Sequence, residues 1–229
     1  MIKFTDISKK YASTEVLNIA DLEISEGEHI GLIGNNGAGK TTCFSLLLDL
    51  IEPSTGQVTS DGNVVSKSEL WKEYTSSFLD ESYLINFLTP DEYFDFVGSL
   101  YGWNEADIRD FLGQYEEFFN DEVIGQKKYI RDLSKGNQKK VGIIAALMGN
   151  PRLLVLDEPF SNLDPTSQIR LKRIIKASGE DKTVLISSHD LNHVVDVCDR
   201  ILILEKGNLI KDLKNTPEAQ AEISAYFDV

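Results

Sequence analysis

The segment His29-Ile30-Gly31-Leu32-Ile33-Gly34-Asn35-Asn36-Gly37-Ala38-Gly39-Lys40-Thr41-Thr42 passes from a short apolar run into a glycine-rich loop and then into a helical pattern. Residues 34–41 fit the spacing G-x-x-x-x-G-K-[ST]. The glycines let the backbone curl, so the N–H groups of Asn35, Asn36, Gly37, Ala38 and Gly39 face one hollow. The helix that follows aims its positive end into the same hollow. Lys40 supplies a mobile charge for the β- and γ-phosphates of a nucleotide, and the Thr41 hydroxyl is a ligand for Mg²⁺. Thr42 adds a further phosphate contact. The side chains of Asn35, Asn36 and Ala38 carry no requirement of their own. The competing reading is a glycine-rich turn that happens to precede a helix. The apolar strand ahead and the helix behind are the context the motif needs, and they count against it.

A second segment belongs with the first. Leu153-Leu154-Val155-Leu156-Asp157-Glu158 is a continuous apolar strand that ends in two carboxylates. Alone, two acids after such a run read as a surface turn. Beside a phosphate loop, Asp157 at the strand tip reads as the holder of the Mg²⁺ shell. Glu158, one residue on, points elsewhere and is placed to orient or deprotonate an attacking water. Pro159 stops the strand.

The rest of the chain gives a mixed pattern. Alternation at residues 2–7 and 22–24 predicts half-buried strands. Residues 41–50 predict a helix. Strands near residues 57–59 and 63–65 flank Asp61-Gly62, a hairpin-turn dipeptide. From residue 84 to 132 helices dominate, opened by the capping box Thr89-Pro90-Asp91-Glu92. Tyr93, Phe94, Val97, Leu100 and Tyr101 share one face of that helix, as the core of a small lobe or a docking surface for a partner helix. After Pro151 apolar strands return at residues 153–156 and 183–186, separated by a helix that starts at Asp164-Pro165. Strands at residues 200–205 and 208–213 turn at Lys206-Gly207, and Thr216-Pro217 opens a last helix. This alternation around a helical block predicts an α/β fold with a mainly parallel, three-layer core.

Composition narrows the class. The chain has 229 residues, 41% of them apolar, with a formal net charge of −14. An acidic chain of this size reads as one domain with a solvated surface, and nucleic-acid binding is not expected. The two cysteines, Cys43 and Cys198, lie in apolar helical contexts without a CxxC partner, so neither a disulfide nor a zinc site is expected. No apolar run approaches the ~18 residues of a membrane span, and residues 1–4 lead straight into a strand pattern. These features point to a cytoplasmic protein that meets a membrane only through a partner.

Further segments carry a resemblance. Leu133-Ser134-Lys135-Gly136-Asn137-Gln138 resembles the signature sequence of ABC ATPases, although lysine and asparagine stand where glycine and glutamine are usual. Residues 153–159 look like that family's extended Walker B segment, and residues 34–41 its Walker A loop. Ser161-Asn162-Leu163-Asp164 is similar to its D-loop. His189 sits where it places a switch histidine, and Tyr11 looks like its adenine-stacking aromatic. The resemblance covers nearly the whole chain. It implies a P-loop NTPase core with an N-terminal antiparallel β subdomain and an inserted helical subdomain. The single domain would span residues 1–229, with the catalytic core at 1–83 and 150–229 and the helical part at about 84–149.

The resemblance also implies ATP and Mg²⁺ as ligands and head-to-tail pairing with a second such domain. Ser134 and Gly136 would then reach the γ-phosphate bound by the other chain, and His189 would contact the γ-phosphate and hold the water and Glu158 in place. Where the family carries a glutamine that senses Mg²⁺ and the transporter, residues 78–83 offer Glu81, a candidate metal ligand. Glutamate there, with the segments at residues 88–90 and 100–102, resembles members of the ABC-2 exporter type. A separate transmembrane permease subunit is the implied partner, held at the cytoplasmic face of the inner membrane. The alternative is a non-transport ABC ATPase that acts on ribosomes or nucleic acid. Those members usually carry two linked domains or a long coiled coil, and neither pattern occurs in this sequence.

Overall fold

The computed structural model describes residues 1–179 and 181–227; the expected span of 1–229 also takes in residues 180, 228 and 229, which lie outside the described residues. The strands are β1 (Ile2–Tyr11), β2 (Thr14–Ile24), β3 (His29–Ile33), β4 (Thr55–Ser60), β5 (Asn63–Val64), β6 (Thr75–Phe78), β7 (Leu153–Leu156), β8 (Thr183–Ser188), β9 (Arg200–Glu205) and β10 (Asn208–Lys214). The helices are α1 (Lys40–Leu47), α2 (Pro90–Leu100), α3 (Glu105–Gly113), α4 (Glu116–Phe119), α5 (Lys135–Leu147), α6 (Pro165–Lys176), α7 (Leu191–Val194) and α8 (Pro217–Phe227).

One sheet runs in the order β5-β4-β1-β2-β10-β9-β3-β8-β7-β6. Its β9-β3-β8-β7-β6 part is parallel, and β5-β4-β1-β2 is antiparallel. The expected antiparallel subdomain is therefore an extension of the same sheet, joined through a parallel contact of β10 Asn208 with β2 Asn18. The parallel strands inside the sheet, β3, β7, β8 and β9, are apolar on both faces because both faces are covered. Leu153, Val155, Leu185, Leu202 and Leu204 point into a core shared with α1. Their neighbours Leu154, Leu156, Val184, Ile186, Ile201 and Ile203 point into a second core, shared with the helices of the middle segment. Each apolar run thus serves two layers, giving the three-layer arrangement.

Local chemistry sets the element ends. The turn at Asp61 and Gly62 has φ of 47° and 77°, the pair of positive values that a tight hairpin requires. Thr89 accepts from the Glu92 amide while Glu92 accepts from the Thr89 amide, so the capping box at the start of α2 forms as expected. Helix α1 stops three residues short of the predicted end, with Asp49 in the left-handed region at φ 51°. Strand β6 escaped the sequence reading: Thr75-Ser76-Ser77-Phe78 is a polar edge strand without an apolar signature. On α2, Phe94 is fully buried and Tyr93 and Val97 pack on the core, but Leu100 and Tyr101 are exposed rather than part of it. Both cysteines are buried and free; Cys198, however, lies in the loop after α7 and not in a helix.

Candidate nucleotide site

Strand β3 is buried along its whole length, and the chain leaves its C-terminal end directly into the loop before α1. Gly39 there has φ 106°, and a Cβ on it would lie 2.8 Å from the Val16 carbonyl, so no other residue suits the position. Gly34 donates its amide to the Ser188 carbonyl (3.3 Å), and Ala38, expected as an amide donor to phosphate, donates to the Asn35 carbonyl (3.0 Å). Among the described residues, the amides of Asn36, Gly37 and Gly39 have no such internal acceptor. Together with the first turn of α1 they supply donors for an anion. Asn35, Asn36, Gly37 and Thr41 are exposed, whereas the Lys40 side chain is buried and donates to the Gly34 carbonyl at 2.6 Å.

Parallel pairing of β7 with β8, and of β8 with β3, sets the tip of β7 near the loop. There Thr41 Oγ1 donates to Asp157 Oδ2 at 2.5 Å, and Ser187 donates to Asp157 Oδ1. Burial holds the Asp157 carboxyl above the usual carboxylate range; the two hydroxyls pull it back, and the charge of Glu158 adds to the rise. A hydroxyl and a carboxylate oxygen in contact are the hard donors that Mg²⁺ takes alongside phosphate oxygens and water, so these residues fit that ion.

Glu158 lies between two partners. Its Oε1 is 3.2 Å from Lys40 Nζ, and its Oε2 is 2.9 Å from His189 Nδ1. Lys40, Thr41, Asp157, Glu158 and His189, drawn from three separate stretches of sequence, thus meet at the C-terminal ends of β3, β7 and β8. The sequence reading had no role for Ser187 or Lys139. Ser187 Oγ accepts from the Glu158 amide at 2.9 Å, and Lys139 Nζ donates to the Glu158 carbonyl at 2.8 Å. Ser187 could have been suspected from its place two residues before His189. Lys139 gives no sequence signal.

The other expected residues fall around this centre. Tyr11 ends β1 and is 53% exposed, and the Lys9 ammonium is 4.9 Å from its ring centre. Tyr11 pairs with Thr14, and Val16 two residues on packs against Gly39, so this hairpin borders the loop. Ser134 caps α5 by accepting from the Asn137 amide. Gly136 lies so close to the Asn162 carbonyl that a Cβ would be 2.7 Å from it. Ser134, Gly136, Lys140, Asn162 and Asp164 line a cavity of about 440 Å³ to which residues 34–42 contribute nothing among the described residues. Glu81 opens a short turn after β6 and sits 3.7 Å from Lys139 Nζ; among the described residues no hydrogen bond joins it to Thr41 or Asp157. His29 is buried with Nδ1 3.3 Å from the Val197 carbonyl, and His193 stacks on Phe160.

A strand, a glycine-rich loop and a helix with a buried lysine at its mouth, opposed by a carboxylate on the neighbouring strand tips, define a P-loop nucleotide-binding ATPase. The model of the ABC transporter family matches residues 17–161. The ABC transporter ATP-binding protein MJ1023 of Methanocaldococcus jannaschii is 36% identical over 213 residues, covering 91% of this chain and 76% of that protein. The ABC transporter ATP-binding protein NatA of Bacillus subtilis is 32% identical over 221 residues, covering 92% and 88%. Among solved structures, a dimeric post-hydrolysis state of the ATP-binding cassette MJ0796, bound to ADP and Pi, superposes with a TM-score of 0.82 at 23% identity, covering 94% of this chain and 99% of that one; this likeness shows the fold. The chain belongs to the ABC transporter family, as an ATP-binding subunit with ATPase activity. Among the described residues, no helix is long and apolar enough to cross a membrane.

Proposed function

We propose that two copies of this chain pair head to tail around two ATP molecules and drive an export permease carried on a separate membrane-spanning subunit. The observation that carries the reading is the placement of the Glu158 carboxylate between Lys40 and His189, beside the Thr41–Asp157 contact. Amides of residues 35–37 and 39, together with Lys40 and Thr42, hold the triphosphate, while the Ala38 amide stays on the Asn35 carbonyl, and Tyr11 stacks on adenine. Thr41 and Asp157 would hold Mg²⁺, and the ion would neutralise phosphate charge there, while Glu81 faces Lys139. Glu158 orients a water and accepts its proton as the water attacks the γ-phosphorus, giving ADP and phosphate. His189 fixes the carboxylate through Nδ1 and reaches the γ-phosphate.

Pairing is supported by the separation of Ser134 and Gly136 from the phosphate loop of their own chain. The cap of α5 is an anion-favouring helix start that lies in a cavity apart from residues 34–42. A second chain would bring its own Ser134 and Gly136 to the first chain's γ-phosphate. A groove of about 230 Å³ lined by Phe78, Tyr83, Leu84, Tyr93, Val97 and Tyr101 offers a seat for a cytoplasmic helix of the permease. Such partnering would hold the chain at the cytoplasmic face of the inner membrane. The export direction rests on Glu81 and its surroundings.

Glu158→Gln tests the reading. The variant is expected to bind ATP, to hydrolyse it about 10²- to 10⁴-fold more slowly and to elute as an ATP-dependent dimer. Wild-type turnover in this variant would remove Glu158 as the base, and a monomer at saturating ATP would remove the pairing.

A further inference from the structure

Glu158 has φ 45°, a left-handed backbone that a residue with a Cβ rarely adopts. Something must hold it there, because the direction in which its side chain leaves the backbone depends on it. On the amide side, Glu158 N–H donates to Ser187 Oγ at 2.9 Å. On the carbonyl side, Lys139 Nζ donates to Glu158 O at 2.8 Å and to Ser161 Oγ at 2.8 Å, and Ser161 Oγ itself donates to Glu158 O at 2.9 Å. The Lys139 side chain is only 6% exposed and that of Glu81 only 10%, and Glu81 Oε1 lies 3.7 Å from Lys139 Nζ. Glu81 Oε1 is buried and accepts no hydrogen bond, so Lys139 is its counter-charge. The ring of Phe78 stands 5.8 Å from the ammonium and helps close it off from water.

We propose that Lys139 is a positioning residue for hydrolysis: its buried ammonium clamps the Glu158 carbonyl, fixing the backbone conformation that aims the Glu158 carboxylate, while Glu81 balances its charge. This inference rests on the reading of Glu158 as the base. Lys139 does not touch the reacting atoms; it acts through the peptide that follows Glu158. Without the clamp, φ at Glu158 relaxes to a commoner region and the carboxylate swings from its place between Lys40 and His189. A shift of about 1 Å at a reacting group costs on the order of 10²-fold in rate.

A structural role and a positioning role separate in a double variant. Lys139→Met removes the clamp but leaves Glu81 buried without a counter-charge, so it lowers both the unfolding midpoint and kcat. Glu81→Gln with Lys139→Met removes both charges together. The expected result is that the double variant regains most of the unfolding midpoint, keeps the KM for ATP within about twofold of wild type, and still shows a kcat reduced by about 10- to 100-fold. Lys139→Gln, which keeps a donor for the carbonyl, is expected to recover part of kcat. Wild-type kcat in Lys139→Met, or recovery of kcat together with stability in the double variant, overturns the proposal. If the single variant does not fold, the double variant decides alone. Glu158→Gln assayed in parallel separates the two readings: wild-type turnover there fells the base assignment itself, whereas a dead Glu158→Gln beside a fully active double variant fells only the clamp.

Discussion

The Lys40 ammonium and the Glu158 carboxylate form an ion pair at 3.2 Å, with the lysine side chain 6% exposed and the glutamate 25%. On the proposed reading, the cation that would meet phosphate is thus partly neutralised by the group that would activate water. A triphosphate has to compete with this carboxylate for Lys40. Glu158→Gln keeps the shape and removes the charge, so it is expected to tighten ATP binding by a few-fold, as loss of a competing pair worth on the order of 1 kcal/mol implies. Calorimetric titration with ATP and Mg²⁺ checks this. An affinity weaker than wild type would mean that Glu158 aids nucleotide binding instead of opposing it.

His189 gives a cleaner separation of activity from stability. Its side chain is 52% exposed and, among the described residues, its one side-chain hydrogen bond is with Glu158 Oε2. Exposed positions of this kind change stability by no more than about 0.5 kcal/mol. His189→Ala is therefore expected to leave the unfolding midpoint nearly unchanged while kcat falls by at least about tenfold, as loss of an orienting contact to the proposed general base implies. Steady-state ATPase kinetics and thermal unfolding on one preparation give both numbers.

Asp157 behaves in the opposite way. It is 4% exposed, and burial raises its carboxyl above the usual range despite the hydroxyls of Ser187 and Thr41. A carboxyl with a raised folded-state pKa favours folding when protonated; that contribution is fully present below the unfolded pKa and is lost as pH rises through the folded value. At neutral pH the charge of Asp157 is a cost. Asp157→Asn removes it, so the variant is expected to unfold about 2–4 °C higher than wild type at pH 7, the shift that ~1 kcal/mol produces in a chain of this size. The advantage should shrink as pH falls through the carboxylate range. Hydrolysis should be lost at every pH. Melting curves from pH 4 to 8 without nucleotide test the sign, and an advantage that grows on acidification would refute the burial argument.

The sequence made some of this site legible and hid the rest, for a physical reason. Residues 34–42 are one contiguous stretch in which spacing alone dictates shape, because a loop that turns its amides inward needs glycine at fixed positions. Asp157 and Glu158 were readable because a doubly buried strand must be apolar, which makes two acids at its tip conspicuous. The contacts of Ser187 and Lys139 were not readable. They depend on β8 lying beside β7 and on α5 crossing β6, and a serine or lysine in those positions has the same local pattern as a solvated one. Strand β6 was missed for a related cause: at the sheet edge it needs no apolar alternation. Leu100 failed in the other direction, since it matches the apolar periodicity of α2 and yet lies 69% exposed past the end of the packed face.

Pairing of two chains makes a prediction that single-chain arguments do not. Ser134 caps α5, and Ser134→Ala should cost about 1 kcal/mol of stability. It should also abolish turnover if the cap meets the γ-phosphate of another chain. Lys40→Ala should abolish turnover as well, through loss of phosphate binding at its own loop. Neither variant is expected to hydrolyse ATP alone. In a mixed pair, however, the intact phosphate loop of the Ser134→Ala chain faces the intact Ser134 of the Lys40→Ala chain, and one complete site is formed. ATPase activity is therefore expected to reappear when the two inactive proteins are combined, and to rise with total protein concentration as pairs form. A mixture that stays inactive at concentrations where wild type turns over would mean that each site draws Lys40 and Ser134 from the same chain.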